Sequence, residues 1–144
     1  MDLTQRAPRS ARCRLGGYAL LPRLLDKCRA ELAGKNGEYH YNCPLDQHFM
    51  KFAGIDAEQL KAEVAKGKGD GELLTWINEN AKHQRSPVEI AAWTAWREQA
   101  VPTDTEGRAF FNKLHEESGP QREDIATWPD VLDLDDYVSF GGKA

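Results

Sequence analysis

Between Gly37 and His48 the chain reads Gly-Glu-Tyr-His-Tyr-Asn-Cys-Pro-Leu-Asp-Gln-His, its densest run of chemically capable side chains. Three chemistries fit these types. Cys43 stands just before Pro44, a residue suited to opening a helix, and a thiol at a helix N-terminus has a lowered pKa. With His40 or His48 as base it would be a nucleophile. Asp46 would fall in the first turn of that helix, where a carboxylate suits the positive end and meets exposed N–H groups. Asp26, off the apolar stripe of an earlier helix, joins Cys43 and Asp46 as a third candidate catalytic group. His40, Cys43, Asp46 and His48 are all legitimate metal-ligand types. Their spacing matches no established motif, so no metal is assigned. Tyr39 and Tyr41, with Trp93, could line a small-ligand pocket, since aromatics with a few polar groups are the usual lining. The structural alternative is as simple: free cysteine is among the most buried residue types, and aromatics at helical spacing usually serve packing.

The elements that must hold these residues are read from apolar spacing and caps. Leu21, Leu24, Leu25, Cys28 and Leu32 recur at helical spacing after Gly16-Gly17, with Pro22 in the first turn. Glu38 to Asn42 reads as extended. Period two would then put Tyr39, Tyr41 and Cys43 on one side and Glu38, His40 and Asn42 on the other. Leu45, Phe49 and Phe52 mark the next helix. Asp56 with Gln59 starts a third. Gly67, Gly69 and Gly71 lack the Gly-Lys-Ser/Thr of a phosphate loop, so this stretch is a turn, with Asp70 as the cap of a fourth helix. Ser86-Pro87-Val88-Glu89 is a capping box around a first-turn proline. Ile90, Trp93 and Trp96 follow near one face. Thr103 with Glu106 predicts another capping box, Phe110 and Leu114 a stripe, and about Glu123 to Leu132 a last short helix. No strand pair is evident. The reading is all-α: a single domain of six or seven short helices over 1–144, with an extended basic arm at 1–17 and an extended tail at 137–144.

Composition bounds the function. The 144 residues are 40% hydrophobic and 29% charged, with net charge -4, as suits a globular domain with its own core. No apolar run is long enough for a membrane span. Met1 is followed by Asp2 with no apolar stretch, which predicts no secretory signal. Three cysteines, an odd and sparse set, favour a reducing, cytoplasmic setting. Residues 1–44 carry 8 Lys/Arg against 4 Asp/Glu, and residues 45–144 carry 11 against 19. Net acidity argues against nucleic acid as a partner, because phosphate binding needs a basic face. Arg6, Arg9, Arg12 and Arg14 are the one basic patch, and the acidic stretch 123–136 is its natural counterpart, within the chain or across a dimer. No nucleotide, flavin, nicotinamide or haem motif is present in the sequence, so no cofactor is expected.

Four motifs in order carry a resemblance: Leu21-Pro22-Arg23-Leu24-Leu25-Asp26-Lys27; Gly37-Glu38-Tyr39-x-Tyr41-x-Cys43-Pro44-Leu45-Asp46; Arg85-Ser86-Pro87-x-Glu89-Ile90; and Thr127-Trp128-x-Asp130-x-Leu132-Asp133-Leu134-Asp135. Together they resemble a bacterial family catalogued as domain-of-unknown-function family 5069, over nearly the whole chain. The resemblance implies a small, soluble, mostly helical bacterial protein and no activity. It includes both tyrosines, Cys43, Pro44 and Asp46 but does not require histidine at 40 and 48, which weakens the metal and Cys–His readings. Two functions stay open: a non-catalytic interaction or structural module, homodimeric in one form, and a small-molecule-binding protein or small enzyme at the Tyr39–Asp46 segment.

Overall fold

The computed structural model describes residues 1–144 and is mostly helical. A small antiparallel hairpin, β1 (Arg14–Leu15) and β2 (Tyr18–Ala19), precedes seven helices: α1 (Leu21–Leu32), α2 (Pro44–Ala53), α3 (Ala57–Val64), α4 (Asp70–Asn80), α5 (Pro87–Glu98), α6 (Thr105–Ser118) and α7 (Trp128–Ser139). The hairpin was not expected. Its two-residue turn, Gly16-Gly17, has φ of 59° and 84°, the pair of positive values that suits tight hairpins and favours glycine. Thr94 of α5 pins it: the hydroxyl donates to the Gly17 carbonyl and accepts from the Ala19 amide.

Helix α1 runs through the centre. Leu21, Leu24, Leu25 and Cys28 are fully buried, and Arg23, Asp26 and Lys27, off the apolar stripe, are buried as well. A helix buried on every side must have its polar groups paired, and these are. The apolar core gathers α1 with residues of the arm, the hairpin and α2 to α5, including Phe49, Leu60, Leu73, Ile77 and Trp93. Its aromatic centre is Trp93, stacked on Phe52 at 5.2 Å and edge-on to Tyr18.

Several helix starts follow their sequence signals. Asp56 accepts from the Gln59 amide, and Ser86 with Glu89 forms the capping box before Pro87. Others differ. Gly69, not Asp70, is the cap of α4, which frees the Asp70 carboxylate for Arg9 and Arg29. Asp104 rather than Thr103 caps α6. Phe111, not Phe110, faces inward on α6, edge-on to Trp128 at 5.4 Å. Leu32 and Trp96 are exposed. The last helix begins at the Thr127 capping box and runs to Ser139, so the tail is not extended from 137: Tyr137, Val138 and Ser139 are helical. Pro129 in the first turn sets that start.

The arm is likewise not an extended appendage. It lies partly in turns with Leu3 and Ala11 buried, and three of its four arginines meet acids of the same chain. Arg12 pairs with Asp130 and Asp133, Arg9 with Asp26 and Asp70, and Arg14 with Glu98. Ser10 donates to Asp133 at 2.7 Å. Of the acidic stretch, then, Asp130 and Asp133 meet the arm, through Arg12 and Ser10, while Arg9 and Arg14 find acids elsewhere in the chain. No helix is long and apolar enough to cross a membrane.

Candidate functional site

The Tyr39–Asp46 segment is a turn at Tyr41–Asn42 leading into α2 rather than a strand, with Asn42 at φ 58°. The alternation expected of an extended segment is therefore absent, and its side chains diverge. The Tyr39 hydroxyl donates to Asp136 of α7 at 2.8 Å, while the Tyr41 hydroxyl donates to the Ala57 carbonyl at the start of α3, also at 2.8 Å. Burial, first, pushes both phenols up from their ordinary value, and the Asp136 carboxylate adds to this for Tyr39. Neither is poised to ionise.

Cys43 is the cap residue of α2 and Pro44 its first residue, as the sequence suggested. Asp46 follows in the first turn and is wholly buried. Its two oxygens are taken separately: Oδ1 accepts from Lys27 Nζ at 2.8 Å and Oδ2 from the Asn42 amide at 2.9 Å. Burial pushes the Asp46 carboxyl up, and Lys27 and the Asn42 amide pull it back. Lys27 also reaches Cys43 Sγ at 3.3 Å. One buried ammonium thus ties the thiol and the carboxylate to α1.

A second strut stands beside the first. Arg23, four residues before Lys27, donates to Asp136 Oδ2 at 2.7 Å and to the Arg9 carbonyl at 3.2 Å. Asp136 therefore holds Arg23 and Tyr39 together. Asp26, the third candidate, turns away to the arm, where Oδ2 accepts from the Arg9 amide at 2.9 Å and its guanidinium at 3.0 Å. It does not join Cys43 and Asp46. Trp93 lies in the apolar core, packed on Tyr18, Phe49 and Phe52. His40 and His48 are exposed, and no three His, Cys, Asp or Glu side chains converge in the way a metal ion needs. His48 packs edge-on to Trp96 at 5.5 Å.

Arg23, Lys27 and Asp136 complete the cluster, and none of the three was among the candidate site residues read from sequence. A signal existed: Arg23, Asp26 and Lys27 sit at spacings of three and four, so one face of α1 is polar, and a polar face on a central helix demands partners. Arg97 was also missed. It follows Trp93 by four residues and shares its buried face, at 6% exposure.

The arrangement defines a helical domain whose densest polar cluster braces the fold from within. The chain belongs to the family described as a domain of unknown function (DUF5069), whose model matches residues 5–138. No curated protein matches it.

Proposed function

We propose that this protein is a non-catalytic interaction module that pairs with a second copy of itself through the outer flank of α5. The observation that carries the reading is an exposed apolar helix face, contacted at Trp96 by the edge of His48 and the guanidinium of Arg97. Val88 is 79% and Trp96 55% exposed, and Ala91, Ala92 and Ala95 between them are exposed as well. Such a face is self-complementary. Two α5 helices crossed antiparallel about a two-fold axis near Ala92 bring Val88 of one copy against Trp96 of the other, twice, while the alanines permit close approach. Tryptophan is the residue type most enriched among the anchors of interfaces.

The alternative, a small-molecule pocket or small enzyme at the Tyr39–Asp46 segment, has less support because its polar groups already hold one another. The test is sedimentation velocity from about 1 μM to about 1 mM, a range that spans weak self-association, on the parent and on Ala92→Glu. Ala92 is an exposed helical position, so the variant should keep its circular dichroism. A parent dimer that Ala92→Glu reduces to monomer supports the reading. A parent that stays monomeric throughout, or a dimer indifferent to the substitution, overturns it.

A further inference from the structure

Every buried cation of α1 has a carboxylate. Arg97 on α5 has none. Its side chain makes no hydrogen bond within the protein, and only burial acts on its ionisation, pushing it down. Its sequence neighbour Glu98 is occupied by Arg14, through both oxygens. The one favourable contact is the Trp96 ring, 4.4 Å from the guanidinium carbon. A cation over an indole face is attracted electrostatically, but less strongly than by a hydrogen-bonded carboxylate. Arginine does not escape by losing its proton in proteins. Its five N–H donors are left without protein acceptors.

Arg97 also lines a cavity of about 10 Å³ that opens toward solvent. The remaining walls are apolar: Leu20, Leu45, Trp128 and Leu132 among them. The interior has room for one water-sized body. No side-chain nitrogen or oxygen of the molecule is fully buried without a partner, so the guanidinium nitrogens keep some access to solvent. A planar fork of donors at an apolar-walled cavity, with no counter-charge in the protein, is chemistry suited to a carboxylate.

We infer that Arg97 and this cavity form a binding site for one small monovalent anion, a halide or the carboxylate of a short organic acid. The anion's charged atom enters the cavity against the guanidinium, and any organic remainder lies toward solvent. Leucine and tryptophan walls would favour a short apolar remainder over a second charge. The inference is independent of self-association through α5.

The test uses sodium formate, acetate and chloride at constant ionic strength, with gluconate as the bulky reference anion. Thermal unfolding of the parent should shift upward and saturate with formate or chloride relative to gluconate. Arg97→Met should remove that difference, weakening the effect at least about tenfold, the loss of one charge-assisted contact. Ala92→Glu should keep it in full. If Arg97→Met fails to fold, the chlorine-35 linewidth of chloride with the parent decides: protein-dependent broadening that formate reverses supports the site. Formate acting without chloride assigns a carboxylate, and both acting assigns any small monoanion. Equal midpoints in all salts together with no reversible broadening overturn the proposal, as does a formate effect that survives intact in a folded Arg97→Met protein.

Discussion

The Tyr39–Asp46 segment and the α5 helix make opposite use of their side chains. The first holds two tyrosines, a cysteine and an aspartate, the types expected of a reactive site. In the fold each is met by another protein group: Tyr39 by Asp136, Tyr41 by the Ala57 carbonyl, Cys43 and Asp46 by Lys27. The second is plainer in sequence, with three alanines, two tryptophans and one arginine among its twelve residues. Yet it leaves Val88 and Trp96 exposed and Arg97 buried without a carboxylate partner. Density of reactive types measures what a segment contains. Capacity to bind is measured by what the fold leaves unmet, and by that measure α5 is the more open region.

The largest effect should come from the buried pair. Asp46→Asn keeps the shape but strands the Lys27 ammonium, and breaking such a pair typically costs about 3–5 kcal/mol. Urea denaturation should show a much lower midpoint, whereas an interaction of no structural weight would leave it in place. Tyr39→Phe removes one hydroxyl donor to Asp136, and a hydrogen bond to a charged group contributes about 1.5–3 kcal/mol. The same denaturation reads it, and a value near zero would detach Tyr39 from the strut.

Much of the helical framework was legible because it depends on local signals. The Ser86 box and the Asp56 cap are made by residues three apart, and Pro44 at the start of α2 needs only its own fixed φ. The paired character of the cluster was not legible, because Arg23 meets Asp136 across 113 residues and Tyr39 meets it across 97. Nothing local encodes such a pairing. The hairpin was missed for a related reason. Two-residue strands carry too little alternation to register, and a Gly-Gly pair alone does not distinguish a chain break from a turn with two positive φ values. Asp70 shows tertiary override: a good cap type stands next to the cap because Arg9 and Arg29 hold its carboxylate elsewhere.

Asp70 also gives the pH dependence of the arm. The Arg9 hydrogen bond, with help from Arg29, holds its carboxyl below the usual 3.8 against the opposing push of burial. Its stabilisation is therefore full above that ordinary value and is lost as pH falls through the lower, folded one. The gap in thermal midpoint between the parent and Asp70→Asn should be constant near neutrality and close in acid. A gap independent of pH would remove the arm from the account. The smallest effect belongs to Arg12. Its pairs with Asp130 and Asp133 lie near the surface, and such pairs contribute about 0.2–1 kcal/mol each. Arg12→Gln should lower stability slightly, and added salt should erase the difference.

The contrast between the two regions is tested most directly by two matched substitutions in one urea denaturation series. Lys27→Met and Arg97→Met each replace a buried cation with an apolar chain. Lys27 leaves behind a buried carboxylate and Arg97 leaves behind nothing charged. In a low-salt buffer of bulky anions, Lys27→Met should lose about 3–5 kcal/mol, while Arg97→Met should be unchanged or more stable, as replacement of buried ions by apolar groups often is. Equal losses in the two variants would contradict the account, because they would mean that Arg97 is as fully partnered within the protein as Lys27.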